Sequence, residues 1–218
     1  GSMDKELMVL SQASESVGEQ FVGQPLVEAE IRSVIGTTYR ELGKYDEAEP
    51  HLIEALAINR QKLGDEHSDT LWSIHNMGSL LMKQGKYEDA KPYFSEAVTT
   101  RRRLLGNEHH DTLWSINFMG NLLYLQGKFE EAEVYLTEAL ETRRRVLGDG
   151  HPDTLWSIFN MGNLLAAQGK YDEAEMYYLQ ALEGNRRSLG DEHPDTLTFI
   201  AKMGGLLAAQ GKYDEAEM

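Results

Sequence analysis

Gly43-Lys44-Tyr45, Gly85-Lys86-Tyr87, Gly127-Lys128-Phe129, Gly169-Lys170-Tyr171 and Gly211-Lys212-Tyr213 recur along the chain at a constant interval of 42 residues. A fixed period of this length is the signature of a solenoid, whose units cannot bury their apolar faces alone and therefore stack. The same interval relates Gly36, Gly78, Gly120, Gly162 and Gly204, and likewise Ala48, Ala90, Ala132, Ala174 and Ala216. It also relates Ala55, Ala97, Ala139 and Ala181, and the histidines 67, 109, 151 and 193. So many columns in register exclude coincidence.

Each unit reads as two helices. Leu71, Ile74, Met77, Gly78 and Leu81 draw one apolar stripe at helical spacing, which predicts a helix A over about 69–84. Gln84-Gly85 ends it, because glycine takes the left-handed geometry that other residues resist. Tyr87, Ala90, Phe94, Ala97 and Leu105 mark the buried side of a helix B over about 87–104. Pro152 and Pro194 suit a first helical turn, where no N–H is lost, and Asp69, Asp111, Asp153 and Asp195 place negative charge at the positive end of each A helix. Gly78, Ala90 and Ala97 are small where two helices approach closely. Methionines 77, 119, 161 and 203 fall on the stripe as core filler.

Worked outward, the period predicts a leading helix at about 4–18 within a leading segment 4–24. Repeats follow from 25, 67, 109 and 151, then a fifth A helix at 195–210 and a last repeat cut short at Met218. Residues 25–218 then form one solenoid domain of about four and a half repeats, and Gly1, Ser2 and Met3 read as the remnant of a cleaved tag. The chain has 218 residues, no cysteine, and 36 acidic against 21 basic side chains, a formal charge of −15. That balance argues against duplex nucleic acid as a partner, and the missing cysteine removes disulfides, thiolate metal sites and thiol nucleophiles. Apolar runs fall far short of the roughly 20 residues needed to span a bilayer, so no membrane partner and a cytoplasmic location are expected.

These columns resemble the tetratricopeptide repeat, in the 42-residue version found in kinesin light chains. The residues that carry the resemblance are His151-Pro152-Asp153-Thr154-Leu155, Met161-Gly162-Asn163-Leu164-Leu165, Gly169-Lys170-Tyr171-Asp172-Glu173-Ala174-Glu175 and Ala181-Leu182-Glu183, with Arg186-Arg187 and Leu189-Gly190 closing the unit. The resemblance implies an all-α fold, a right-handed α-solenoid of tetratricopeptide helix-turn-helix repeats, with A helices lining a concave groove that holds an extended peptide or a helix of a partner. Pro25 to Arg60 also resembles the repeat segments found behind kinase domains in some bacterial signalling proteins.

With 71, 74, 77, 78 and 81 spent on packing, the opposite positions of helix A are the candidates for partner contact. They read Trp72, His75, Asn76, Ser79 and Lys83; then Trp114, Asn117, Phe118, Asn121 and Leu125; then Trp156, Phe159, Asn160, Asn163 and Ala167. Asn76, Asn117 and Asn160 sit at or beside the position where the resemblance implies an asparagine that holds a partner's backbone. Such an amide both donates and accepts, so it clamps a peptide bond without reading sequence. Phe118 and Lys202 depart from that pattern. The tryptophans also suit packing against the next unit, and the asparagines also suit inter-repeat hydrogen bonds.

Counted by element, the four B helices carry 16 acids and 11 bases, whereas the four A helices from 69 onward carry 4 acids and 2 bases. The groove is therefore expected to be nearly neutral, and the strongly basic groove that the resemblance would imply, suited to an acidic tryptophan-containing peptide, is mostly missing. Arg101 to Arg103 and Arg143 to Arg145 read as solvated helix ends with i, i+4 partners. The recurrent histidines are too far apart between repeats to share a metal; a local site at His109 and His110 is weighed against histidines that finish the loop before helix A. No phosphate loop, zinc-protease motif or serine elbow is present, so no catalytic residue, metal or cofactor is assigned.

The expected function is a non-enzymatic scaffold that binds a peptide or helical segment of a protein partner in the A-helix groove. The alternative is a regulatory or sensor repeat segment of a larger signalling protein such as a bacterial kinase. A cut-short fifth repeat would leave Ile200, Met203 and Leu207 uncovered, which points to end-to-end self-association through the C-terminal repeat.

Overall fold

The structure, a computed structural model, describes residues 2–213, with side chains from residue 8 onward. Among the described residues there are ten helices and no strand. They are α1 (Ser2–Gln20), α2 (Pro25–Glu41), α3 (Tyr45–Leu63), α4 (Ser68–Lys83), α5 (Tyr87–Leu105), α6 (His110–Leu125), α7 (Phe129–Leu147), α8 (Pro152–Ala167), α9 (Tyr171–Leu189) and α10 (Pro194–Ala209). The expected A and B helices lie within a residue or two of these bounds. The expected fifth B helix, with Ala216, and Gly1 of the tag remnant fall outside the described residues.

The boundaries of the A helices from α4 onward have local causes. At the end of α4 the Lys86 N–H donates to the Leu81 carbonyl at 2.9 Å and the Gly85 N–H to the Met82 carbonyl at 3.1 Å. That pairing satisfies carbonyls the helix leaves open, and it requires Gly85 at φ +75°. The recurring glycine of the Gly-Lys-aromatic motif is therefore a helix terminator. At the starts of α4, α6, α8 and α10, His67, His109, His151 and His193 each accept from the backbone N–H of the aspartate two residues on, at 3.2 Å. The histidine column caps helices.

The small-residue columns set how closely the helices pack. A Cβ at Gly36 would sit 2.6 Å from Leu52, at Gly120 2.7 Å from Leu136, and at Gly162 2.7 Å from Tyr178. Ala48, Ala90, Ala132 and Ala174 are fully buried, as are Ala55, Ala97, Ala139 and Ala181. Leu71, Ile74, Met77 and Leu81 are all buried as the stripe predicts, whereas Leu105, assigned to the buried side of helix B, is exposed.

The chain divides into two compact units, 1–100 and 101–218, and the boundary falls inside α5. In the first unit α1 packs on α2, α2 on α3 and α3 on α4, and α2 also touches α4. Its core gathers Val17, Ile35, Tyr39, Leu52, Leu71 and Ile74. In the second unit α6, α7, α8, α9 and α10 pack in sequence, and α6 touches α8. The A helices thus lie side by side under a layer of B helices within each unit, and the fold is an all-α repeat solenoid.

Polar contacts between residues 35 or 36 apart, recurring from repeat to repeat, fix the register of the helices they join. Arg60 grips Glu96 at 2.8 Å, Gln84 donates to Glu49 at 2.9 Å, Arg144 to Gln180 at 3.0 Å and Gln168 to Glu133 at 3.3 Å. At the far end, the expectation that Ile200, Met203 and Leu207 lie uncovered is corrected: Met203 and Leu207 are buried and Ile200 is half-buried. No described helix is long and apolar enough to cross a membrane.

Candidate functional site

The expected groove set separates into three groups. Trp72, Lys83, Leu125 and Ala167 are exposed; Trp114, Phe118, Asn121, Trp156 and Asn163 are half-buried; His75, Asn76, Ser79, Asn117, Phe159 and Asn160 are buried. The reading of this last group as free surface is corrected. A helix A also buries much of the side opposite its apolar stripe, against B helices and against the neighbouring A helix. His75 meets the edge of Phe94 on α5 at 5.7 Å, and Phe159 stacks on Phe199 of α10 at 4.1 Å and leans on Tyr178 of α9 at 5.4 Å.

The tryptophans differ in the same way. Trp156 lies against Phe199 at 5.2 Å and its indole N–H donates to Asp195 at 3.4 Å, so it ties α8 to α10. Trp114 packs between His110 and Phe118 on its own helix. Trp72 stacks on His75 at 5.3 Å yet stays 48% exposed. The three asparagines also play different parts. Asn160 Nδ2 donates to Asn117 Oδ1 at 3.1 Å, an inter-repeat bond. Asn76 Oδ1 accepts from Arg40 at 3.4 Å, while its buried Nδ2 has no partner.

In the first unit α2 and α4 enclose a cleft of about 490 Å³, lined by Leu26, Val34, Thr37, Trp72 and Asn76 among others. Its α2 wall was missed by a reading that began at residue 69. The signal was present, since subtracting the period from Trp72, His75, Asn76 and Ser79 gives Glu30, Ser33, Val34 and Thr37, all of which line the cleft. In the second unit α8 and α10 border a cleft of about 640 Å³ with Tyr124, Asn163, Tyr178 and Lys202. There the Tyr178 hydroxyl donates to Asn163 at 2.7 Å, and burial, with Tyr124 adding to it, pushes its phenol up to about 12.

The arginine clusters also need correction. Arg101 and Arg143 are 3% and 2% exposed, not solvated helix ends. Consecutive residues point about 100° apart, so the first of each triplet turns inward while the next two turn out. Arg102 pairs with Glu138, and Arg145 with Glu108 at 2.7 Å. Arg143 Nη1 donates to Ser157 at 2.8 Å and to the Asp153 carbonyl at 3.2 Å, but its Nε and Nη2 find no acceptor. Burial lowers the pKa of both inward arginines, and Asp111 and Asp153 respectively counter it in part. One period earlier than Arg101 stands Asn59, which lines the first-unit cleft. The inward arginines therefore occupy a position that belongs to the groove floor.

At Glu108-His109-His110-Asp111 the side chains are engaged with each other and the helix end. His109 caps α6, and His110 lies 3.2 Å from Asp111 and 3.1 Å from Asp153. Among the described residues no three histidines or carboxylates converge as a metal site would need.

The tetratricopeptide repeat model matches residues 27–81, 69–145, 116–184 and 156–218. No curated protein matches the sequence. Among solved structures, BtubC (BKLC) from P. vanneervenii is 22% identical, with a TM-score of 0.75 over 100% of this chain and 87% of that one. A putative kinesin light chain with nearly identical TPR-like repeats from Podospora anserina is 24% identical, with a TM-score of 0.68 over 85% and 88%. A Rap protein complexed with competence and sporulation factor is 16% identical, with a TM-score of 0.77 over 88% of this chain and 52% of that one. At these identities the likeness is one of fold. The family model, matching overlapping segments from residue 27 to residue 218, places this chain in the tetratricopeptide repeat family, whose repeats generally mediate protein–protein interaction.

Proposed function

We propose that the chain is a non-catalytic interaction module in which the groove side of the A helices binds a peptide or helical segment of a partner protein. The observation that carries this reading is the first-unit cleft. Leu26, Val34 and Trp72 stand there 44%, 59% and 48% exposed beside the unpartnered amide of Asn76. Large apolar side chains grouped at a concavity gain from a partner that removes them from water, and an unpaired buried amide gains from an acceptor. Asn117 and Asn160, bonded to each other, remain part of the proposed groove as positions that shape it from beneath, whereas Asn76 lines the cleft itself.

The test is capture of partners from a lysate by the immobilised chain, compared with Trp72→Ala and Val34→Asp variants. A partner lost with both substitutions while helicity is unchanged supports the groove. A partner retained by both removes it.

A second reading is a regulatory or sensor segment within a larger signalling protein. It is favoured by the recurrence of this fold in a signal transduction ATPase with a tetratricopeptide repeat sensor from Pyrococcus horikoshii, 15% identical with a TM-score of 0.71, in which this chain spans 33% of the length.

A further inference from the structure

We infer that the first-unit cleft takes an extended segment in which a large apolar side chain stands next to a lysine or arginine. This rests on the groove reading above and specifies the chemistry of its occupant. The apolar requirement comes from Leu26, Val34 and Trp72, which face one cleft while roughly half exposed.

The cationic requirement comes from the charges that line it. These are Glu30 and Asp69, and no basic side chain is among them. Glu28 on the same helix is already held by Arg32 at 2.8 Å, whereas Glu30 is exposed and has no such cation among the described residues. Among the described residues the Asp69 carboxylate receives only the Ser68 hydroxyl at 3.4 Å and lies 3.7 Å from His67. The other basic groups on these helices do not offset the pair: Arg40 reaches Asn76 at 3.4 Å but its charge is matched by Glu41 at 2.8 Å, and Lys83 stands at the far end of α4, roughly 20 Å along the helix axis. An acidic segment would meet two carboxylates here, and a basic one would neutralise them.

The extended requirement comes from Asn76. It is 2% exposed, its Nδ2 has no partner, and it lines the cleft, so it presents a donor that a main-chain carbonyl can satisfy. The three observations are independent, and a peptide with an apolar anchor and an adjoining cation meets all of them.

The experiment uses the full chain and three fluorescein-labelled peptides that carry a Leu-Trp pair between two lysines, two serines or two glutamates. Affinities are read by fluorescence anisotropy. The lysine peptide is expected to bind about 3- to 10-fold more tightly than the serine peptide and the glutamate peptide more weakly than either, with the preference shrinking at high salt. Glu30→Gln should reduce the preference for lysine over serine, Val34→Arg should abolish binding of all three, and Glu54→Gln on α3 should change nothing. Equal binding of the three peptides, a preference for glutamate, or a lysine preference untouched by Glu30→Gln overturns the cationic assignment and leaves the groove standing. Failure of every peptide to bind, or binding that survives Val34→Arg with circular dichroism unchanged, overturns the cleft as a docking site and this inference with it.

Discussion

Arg143 on α7 donates to Ser157 on α8 at 2.8 Å, and the same clamp recurs as Arg101 to Ser115 at 2.6 Å and Asn59 to Ser73 at 2.9 Å. Each joins the end of a B helix to the following A helix. In the last repeat the serine position holds Phe199, which packs on Phe159 and Trp156, and Asn185 is left with a buried Nδ2 lacking any partner. The clamp is thus exchanged for aromatic packing where the column changes.

Arg143 pays for burial without a carboxylate on it, which makes its effect on stability testable. Replacing a buried ionic group by an apolar one of similar volume is often neutral or stabilising by about 1–4 kcal/mol. Arg143→Met should therefore hold or raise the denaturation midpoint, whereas Arg143→Ala should lower it by about 2–4 kcal/mol through the cavity it leaves. Urea unfolding followed by circular dichroism decides. A large loss with methionine would mean that the bonds to Ser157 and Asp153 outweigh the desolvation.

Which of these features the sequence disclosed follows from their physics. Helix pairing was legible because close approach demands Gly36, Gly120 and Gly162 opposite bulky side chains, and such demands leave glycine in a column. The termination at Gly85 was legible for the same reason. Burial of His75, Asn76 and Phe159 was not, because a single apolar stripe records only the strongest packing face, and the contacts beyond it, with A and B helices alike, accept polar and aromatic residues. Arg143 was hidden by its charge. Its phase was available nonetheless, since Leu136, Ala139 and Leu140 are buried and Arg143 continues their i, i+3, i+4, i+7 progression. The α2 wall of the cleft was one subtraction of the period away.

Two glycines on A helices should respond oppositely to alanine. At Gly120 a Cβ would meet Leu136 side-chain atoms at 2.7 Å and its backbone nitrogen at 3.3 Å, and at Gly205 it would meet nothing within 4 Å. Gly120→Ala should cost about 1–3 kcal/mol from overpacking, less about 1 kcal/mol of improved helix propensity, whereas Gly205→Ala should gain about 0.5–1 kcal/mol. Thermal midpoints that move in the same direction for both would contradict the account of the glycine column.

The histidine caps predict a graded substitution series. His151 Nδ1 accepts from the Asp153 N–H at the start of α8, so His151→Ala should cost about 1 kcal/mol. His151→Ser or His151→Asp should recover most of it, because either side chain offers an oxygen to the same donor. Amide exchange in the first turn of α8 is the sharpest readout. No change there on His151→Ala would show that the bond contributes nothing to the helix end.

His51 supplies the pH dependence. It is 5% exposed on α3, its Nε2 lies 2.6 Å from the Ser14 hydroxyl of α1, and its ring stacks on Tyr39 at 6.2 Å. Burial first, and the charge of Arg32 second, hold its pKa below the ordinary 6.5. The folded chain therefore takes up this proton less readily than the unfolded one. Between 6.5 and the lower folded value the unfolded state carries more protons, so the stabilisation is present above 6.5 and is lost as the pH falls through that window. The unpartnered Nδ1 adds to the effect, because protonation would leave a second buried N–H to satisfy. Amide-exchange protection across α1 and α3 should fall as the pH drops below 6.5, well before carboxylates titrate, with α1 released first since Ser14 is its polar tie. His51→Gln retains a donor and an acceptor for Ser14 and removes the titration, so its protection should be flat over the same window. Parallel losses in the wild-type and variant chains would assign the acid sensitivity to other groups.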